Sequence, residues 1–235
     1  MIALAVVAAG ACAGPCVQPI VTRTDPAVIV MAASRALGRL RNGSDAADPG
    51  FALQLAVRDL VVEPSARTVA LASLSTGDHP IVSGLVDAGA VLRSMTPPKS
   101  ALPKWRIVEV PTPEMLRVEL DAAARATGVS WSTLAAIMLI ETRMGRIRGA
   151  SDAGALGPMQ FLPTTWAAYG RGNIHSYRDS LRAAGRYLRA NGAPADLDRA
   201  LFAYNHDQRY VRAVRTYARL MDANRGSTEG SQGGE

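Results

Sequence analysis

Glu141 follows directly on the run Leu134-Ala135-Ala136-Ile137-Met138-Leu139-Ile140. Seven consecutive apolar residues are apolar on every side of a helix, and such a helix is buried. A carboxylate at its C-terminal end is disfavoured as the anion twice over, by desolvation and by the negative end of the helix dipole. Both effects raise its pKa toward the value a general acid needs near neutral pH. Arg143, Arg146 and Arg148 would oppose the shift if they pointed inward, and a boundary glutamate paired with one of them is the plain structural alternative. Two further groups carry chemistry-bearing side chains: Gly154-Ala155-Leu156-Gly157-Pro158-Met159-Gln160-Phe161 and Ala203-Tyr204-Asn205. Without a ligand, Met159 and Phe161 read as core, Tyr204 as a core-edge tyrosine, Asn205 as a helix C-cap, and a buried Gln160 as a side chain that needs partners.

Other chemistries are excluded or disfavoured. Both cysteines, Cys12 and Cys16, lie near the N-terminus, so the chain beyond them has no thiol nucleophile, disulfide framework or cysteine-based zinc site. His79, His175 and His206 are too scattered for a local metal signature, and no metal or cofactor is expected. His206-Asp207 suggests part of a hydrolase triad, but no Gly-x-Ser-x-Gly elbow accompanies it.

The elements that must position these residues are helices. Asp25-Pro26 caps a helix over residues 26–41 that stops at Asn42-Gly43. Asp48-Pro49 starts another, to about Val62, and residues 80–95 form a third despite Gly84 and Gly89. Residues 65–75 are ambiguous. Thr96-Pro97-Pro98 opens a linker to Lys104. Thr112-Pro113-Glu114 begins a helix that ends at Gly128, and Ser130 caps the apolar helix over residues 131–142. A glycine-containing loop spans residues 145–157. Short helical pieces follow over residues 158–169, restarting at Pro163. Ser176, with Asp179 three residues on, caps a helix to Asn191-Gly192. Pro194 begins the next, which ends near Asn205, and Asp207 begins the last, to about Ala223. The fold class is therefore all-α. A length of 235 residues allows one to two domains. We divide the chain into an export signal (1–22), a helical N-terminal region (23–98), a second helical domain (99–225) and a Gly/Ser-rich disordered tail (226–235).

Taken in order and spacing, Ile140-Glu141-Thr142-Arg143, Gly157-Pro158-Met159-Gln160 and Ala203-Tyr204-Asn205 resemble the three motifs of the soluble lytic transglycosylase domain of peptidoglycan-cleaving enzymes. The string from Glu141 to Gly145, with Gly157 to Phe161, looks like actinobacterial secreted members. The resemblance covers residues 102–221. It implies a lysozyme-like helical domain with a glycan groove and Glu141 as the single catalytic acid/base. It also implies substrate contacts at Thr142, Met159, Gln160, Phe161, Tyr204 and Asn205. Thr142 stands where the family commonly has Ser, and His206-Asp207 replaces the Ala-Gly that many relatives carry after the Asn. The implied reaction breaks the bond between N-acetylmuramic acid and N-acetylglucosamine and leaves a 1,6-anhydromuramyl end. Ordinary glycosidases need two carboxyl groups, ~5–5.5 Å or ~6.5–9.5 Å apart, whereas a substrate acetamido group replaces the second in substrate-assisted cleavage. The lytic reading thus expects no second carboxylate beside Glu141, with Asp152, Asp179 and Asp207 as the candidates to watch. A hydrolytic muramidase of the same fold and a non-catalytic wall-binding protein are the alternatives.

Charge and targeting agree with a wall substrate. From Lys104 to Arg225 there are 18 basic and 11 acidic residues, net +7; the remainder has 8 and 9, net −1. The basic half favours an anionic partner. Arg178, Arg182, Arg186 and Arg189 fall on one helix face, and Arg209, Arg212, Arg215 and Arg219 form a looser stripe. These are either solvated faces or attachment points for anionic cell-wall polymers. No nucleic-acid motif accompanies the charge. No charged residue precedes Arg23, and residues 2–9 are apolar with small residues after them, the pattern of an export signal without its basic start. Ala9-Gly10-Ala11-Cys12 resembles a weak lipobox whose cysteine would carry a lipid and anchor the chain to a membrane. The expected partner is the peptidoglycan strand and the expected location extracytoplasmic, for a monomeric chain.

Overall fold

The computed structural model describes residues 23–43, 47–96 and 105–224. The segments expected to form an export signal and a lipobox, most of the expected linker and the C-terminal residues 225–235 lie outside them. Among the described residues there are ten helices and one two-stranded ribbon, an all-α architecture. The chain divides into two units, one within Met1–Ser94 and Arg219–Glu235, the other within Met95–Ala218.

The first unit contains α1 (Pro26–Arg41), α2 (Ala47–Val62), α3 (Pro64–Ala72) and α4 (His79–Met95) through Ser94, with the end of the last helix from Arg219. Asp25 accepts a hydrogen bond from Ala27 N at 2.9 Å, and Asn42 ends α1 where expected. α2 starts at Ala47, so Asp48-Pro49 sits inside its first turn. Proline is tolerated there because that N–H has no intrahelical acceptor. The ambiguous stretch is helix α3, entered through Pro64 at its first position. α1 packs on α2 and α3, burying Ile29, Leu37 and Leu60. Asp59, 1 % exposed, accepts from Arg23 Nε at 2.6 Å and Arg58 Nη2 at 2.7 Å. A buried carboxylate requires partners of this kind.

The second unit contains β1 (Arg106–Ile107), α5 (Pro113–Thr127), α6 (Trp131–Thr142), β2 (Ile147–Arg148), α7 (Pro163–Tyr169), α8 (Tyr177–Ala190), α9 (Leu197–Tyr204) and α10 (Gln208–Ala223) through Ala218. Thr112 and Ser130 cap α5 and α6 through their hydroxyls, and Gly128 ends α5 in the left-handed region at φ 72°. Every residue of α6 from Ser132 to Leu139 is buried, as its composition requires. α8 packs on α5, α6, α7 and α9. Its approach to α5 needs Gly185, because a Cβ there would lie 2.3 Å from Thr127 Oγ1.

Three expectations change. Residues 157–160 form a turn, closed by the bridge Leu156↔Phe161, and helix begins only at Pro163. α9 starts at Leu197, capped by Asp196, whose carboxylate accepts from Arg199 N at 3.0 Å; Pro194 precedes it by three residues. The arginine stripe on α8 is not one solvated face. Arg186 donates to Tyr169 O through Nε (2.8 Å) and Nη2 (2.7 Å), and Arg189 donates to Thr127 O at 3.2 Å, so both tie neighbouring segments to α8. The ribbon is new: two residues per strand leave no periodicity to read. Among the described residues no helix is long and apolar enough to cross a membrane.

Candidate active site

Glu141 emerges at the end of buried α6, where the chain turns sharply. Arg143, Met144 and Gly145 follow with φ of 54°, 62° and 83°. Left-handed non-glycine residues are costly and persist where their surroundings hold them. Thr142, 1 % exposed, supplies one hold: its hydroxyl accepts from Gly145 N at 3.0 Å and donates to Pro158 O at 2.7 Å. The reversal after Glu141 is thereby locked to the 157–160 turn.

That turn is itself constrained. Gly157 has φ +77°, and a Cβ on it would lie 2.0 Å from Ile174 O, so no other residue fits without moving backbone. Gln160 also takes a positive φ, 49°. Its side chain folds back on the turn, Nε2 donating to Gly157 O at 3.0 Å and to Gly149 O at 3.5 Å. Met159 is fully buried, and its carbonyl accepts from the Tyr204 hydroxyl at 2.6 Å. Phe161, 3 % exposed, meets the Tyr204 ring edge-on at 6.0 Å between centroids.

Tyr204 joins these residues to the acid. Its ring stacks on Tyr210 (6.3 Å, interplanar angle 5°), and the Tyr210 hydroxyl donates to Glu141 Oε1 at 2.8 Å. Trp166, Phe161, Tyr169, Tyr187, Tyr204 and Tyr210 make a continuous aromatic cluster. The chain has 3 Trp, 6 Tyr and 3 Phe, so half of all its aromatic rings belong to this one cluster, which reaches the carboxylate through Tyr210. Edge-to-face contacts of this kind add rigidity beyond the area they bury.

The surroundings set the chemistry. Desolvation raises the Glu141 pKa from 4.5 to about 7, and the Tyr210 hydrogen bond works against it. Among the described residues, neither a carboxylate nor any of the arginines Arg143, Arg146 and Arg148 adds to the shift. Burial, with the Glu141 charge second, keeps the Tyr204 and Tyr210 phenols well above their usual range, so both remain donors at neutral pH. Glu141 is not sealed in: its accessible surface is intermediate, and Oε2 takes no hydrogen bond from a described residue. One oxygen is thus anchored while the other can carry a proton to a ligand.

The predicted residues divide into two groups. Thr142, Met159 and Phe161 are buried and act as supports, through a hydroxyl, a backbone carbonyl and a ring. Gln160 and Asn205 keep intermediate exposure, and Asn205 ends α9 with extended backbone. Of the carboxylates to watch, Asp179 accepts from Asn173 N at 3.0 Å and pairs with Arg178, Asp207 accepts from Arg209 N at 2.7 Å at the start of α10, and Asp152 is exposed. Tyr210 escaped the sequence reading. It lies on the apolar stripe of α10 with Val211, Val214 and Tyr217, and a tyrosine at core spacing reads as packing. A cavity of about 400 Å³ lies between the β1–β2 ribbon and the Gly149 and Gly157 loops. Among the described residues no cluster of three or more His, Cys, Asp or Glu could hold a metal ion. No protein-family model, no curated protein and no solved structure matches the chain.

Proposed function

We propose that this chain is an exported lytic transglycosylase that cleaves the glycan strands of peptidoglycan with Glu141 as its only acid/base. The observation that carries the reading is a single carboxylate whose pKa is pushed to about 7 by burial and whose Oε1 is held by Tyr210. The resemblance of the motifs around Glu141, Gln160 and Tyr204 to that family supports the same reading.

In this mechanism protonated Glu141 donates its proton to the glycosidic oxygen linking N-acetylmuramic acid to N-acetylglucosamine. The C1–O bond breaks as the acetamido oxygen of the muramyl sugar attacks C1, doing the work of a second carboxylate. Glu141, now the anion, takes the proton of the muramyl C6 hydroxyl as that oxygen displaces the acetamido group from C1. The 1,6-anhydro ring closes and the acid is regenerated. The internal hydroxyl gains the rate advantage of an intramolecular step. Among the described residues no carboxylate acts on Glu141 strongly enough to shift its pKa, which is compatible with a one-carboxylate route.

Mass spectrometry of digested peptidoglycan is the test. Anhydro ends are ~18 mass units lighter than hydrolysed ends, because no water enters the intramolecular route. Reducing ends in their place would make the chain a muramidase. Glu141→Gln should lower the cleavage rate at least ~10²-fold. Equal, undetectable cleavage by both chains, with wall binding intact, would make it a binding protein.

A further inference from the structure

We propose that the cavity beside the ribbon binds an oxyanion between Arg106 and Arg148, and that this oxyanion is a carboxylate on the peptide branch of the glycan strand. The identity of the substrate rests on the function proposed above; the anion site rests on the ribbon itself.

Arg106 and Arg148 are register partners in the antiparallel ribbon. Side chains directly opposite one another in such a pair project to the same face, and like charges placed so are destabilising. Both residues line the cavity, with Gly149, Leu156, Gly157 and His175 among its other walls. No described carboxylate forms an ion pair with either arginine. Arg148 is held in place all the same: its guanidinium lies 5.5 Å from the Tyr177 ring centroid and its Nη2 donates to the Tyr177 hydroxyl at 3.5 Å. Its Nε is buried with no hydrogen-bond partner. A fold that sets two cations face to face on a two-residue ribbon, and leaves a buried guanidinium N–H unpaired, is complemented by one anion between them. Guanidinium forks suit a planar carboxylate, which can accept from both. A volume of about 400 Å³ is that of a site for a small group.

The cavity is coupled to the reaction through its walls. Gln160 Nε2 donates to the carbonyls of Gly149 and Gly157, two of the lining residues. Gly157 opens the turn whose Pro158 and Met159 carbonyls receive the Thr142 and Tyr204 hydroxyls. A branch carboxylate seated at the ribbon therefore fixes the strand against the same turn that supports Glu141.

A phosphodiester of an anionic wall polymer presents the same oxyanion, so the experiment must separate the sources. Calorimetric titration of the full chain carrying Glu141→Gln, which prevents turnover, would compare three probes. These are a glycan–peptide fragment with free carboxylates, its fully amidated counterpart and a glycerol-phosphate oligomer. The free carboxylates should bind at least ~10-fold more tightly than the amide form, which corresponds to one well-placed charge-assisted contact. The advantage should shrink with added salt. Arg106→Gln and Arg148→Gln should each remove it, with unchanged circular dichroism. Equal affinity for the two fragments, or a preference that survives both substitutions, overturns the proposal; tighter binding of the glycerol-phosphate oligomer overturns its carboxylate assignment. Cleavage of peptide-free glycan by the native chain without carboxylate preference would sink the anion site alone. Arginine-dependent preference without any glycan cleavage would sink the glycosidic function alone.

Discussion

At the scale of the residue, the behaviour of Glu141 follows from which of two opposed effects is larger. Desolvation wins over the Tyr210 hydrogen bond, so the acid holds its proton to about pH 7. The alkaline limb of kcat/KM should therefore fall with an apparent pKa near that value, because only the protonated carboxyl can act as the acid. Tyr210→Phe removes the one interaction that favours the anion and should move the limb to higher pH. A limb that stays or moves down would count against this assignment. The same shift affects stability. An acid whose folded pKa is raised leaves the fold unpenalised below the unfolded pKa of 4.5, and the penalty grows until the pH passes the folded value of about 7. Glu141→Gln should thus match the native chain in stability at pH 4 and exceed it at pH 8 by up to about 3 kcal/mol. Denaturant titrations at the two pH values measure the difference.

At the scale of the element, the reversal after α6 and the 157–160 turn form one device, and Thr142 is the pin. Thr142→Val would leave Gly145 N–H and Pro158 C=O without the hydroxyl that serves both. Both groups belong to buried residues, and each unpaired buried polar group costs about 1–3 kcal/mol. A loss of that order in urea unfolding is expected for Val, with Ser close to the native value because its hydroxyl can make the same bonds. Ser as damaging as Val would show that the methyl group, not the hydroxyl, matters. Most helices were legible here for local reasons. Asp25, Thr112, Ser130 and Ser176 cap through their own side chains, so a few adjacent residues decide the start. The errors fall where the decision is not local. Residues from Pro158 look like a helix start, yet the Leu156↔Phe161 bridge and the closeness of Gly157 to Ile174 impose a turn over residues 157–160.

At the scale of the whole molecule, Tyr210, the one residue whose hydrogen bond shifts Glu141, lies with it in the second unit. Asp59 belongs to the first, where it is buried between Arg23 and Arg58. Asp59→Ala should cost ~2–4 kcal/mol, below the full range for a buried pair, because the two arginines keep 29% and 32% of their side-chain surface exposed. The pH profile of kcat/KM should not move. A displaced profile would mean that the first unit acts on the acid after all. The basic excess of residues 104–225 is also redistributed by folding. Arg186 and Arg189 bind backbone carbonyls, while Arg106 and Arg148, far apart in the sequence, are brought face to face.

The sequence alone determined that a helix apolar on every side must be buried, and that its last turn carries a carboxylate. Both depend only on which residues are consecutive. It also determined the all-α class, through caps and breakers that act within a few positions. Only the tertiary structure decided that Tyr210, 69 residues from Glu141 along the chain, would donate to it. Only packing joined half of the aromatic rings into the cluster that ends on the acid at Tyr210, and set Arg106 opposite Arg148. Desolvation and hydrogen bonding depend on distance in space, and for residues far apart in the chain that distance is set by how the helices pack.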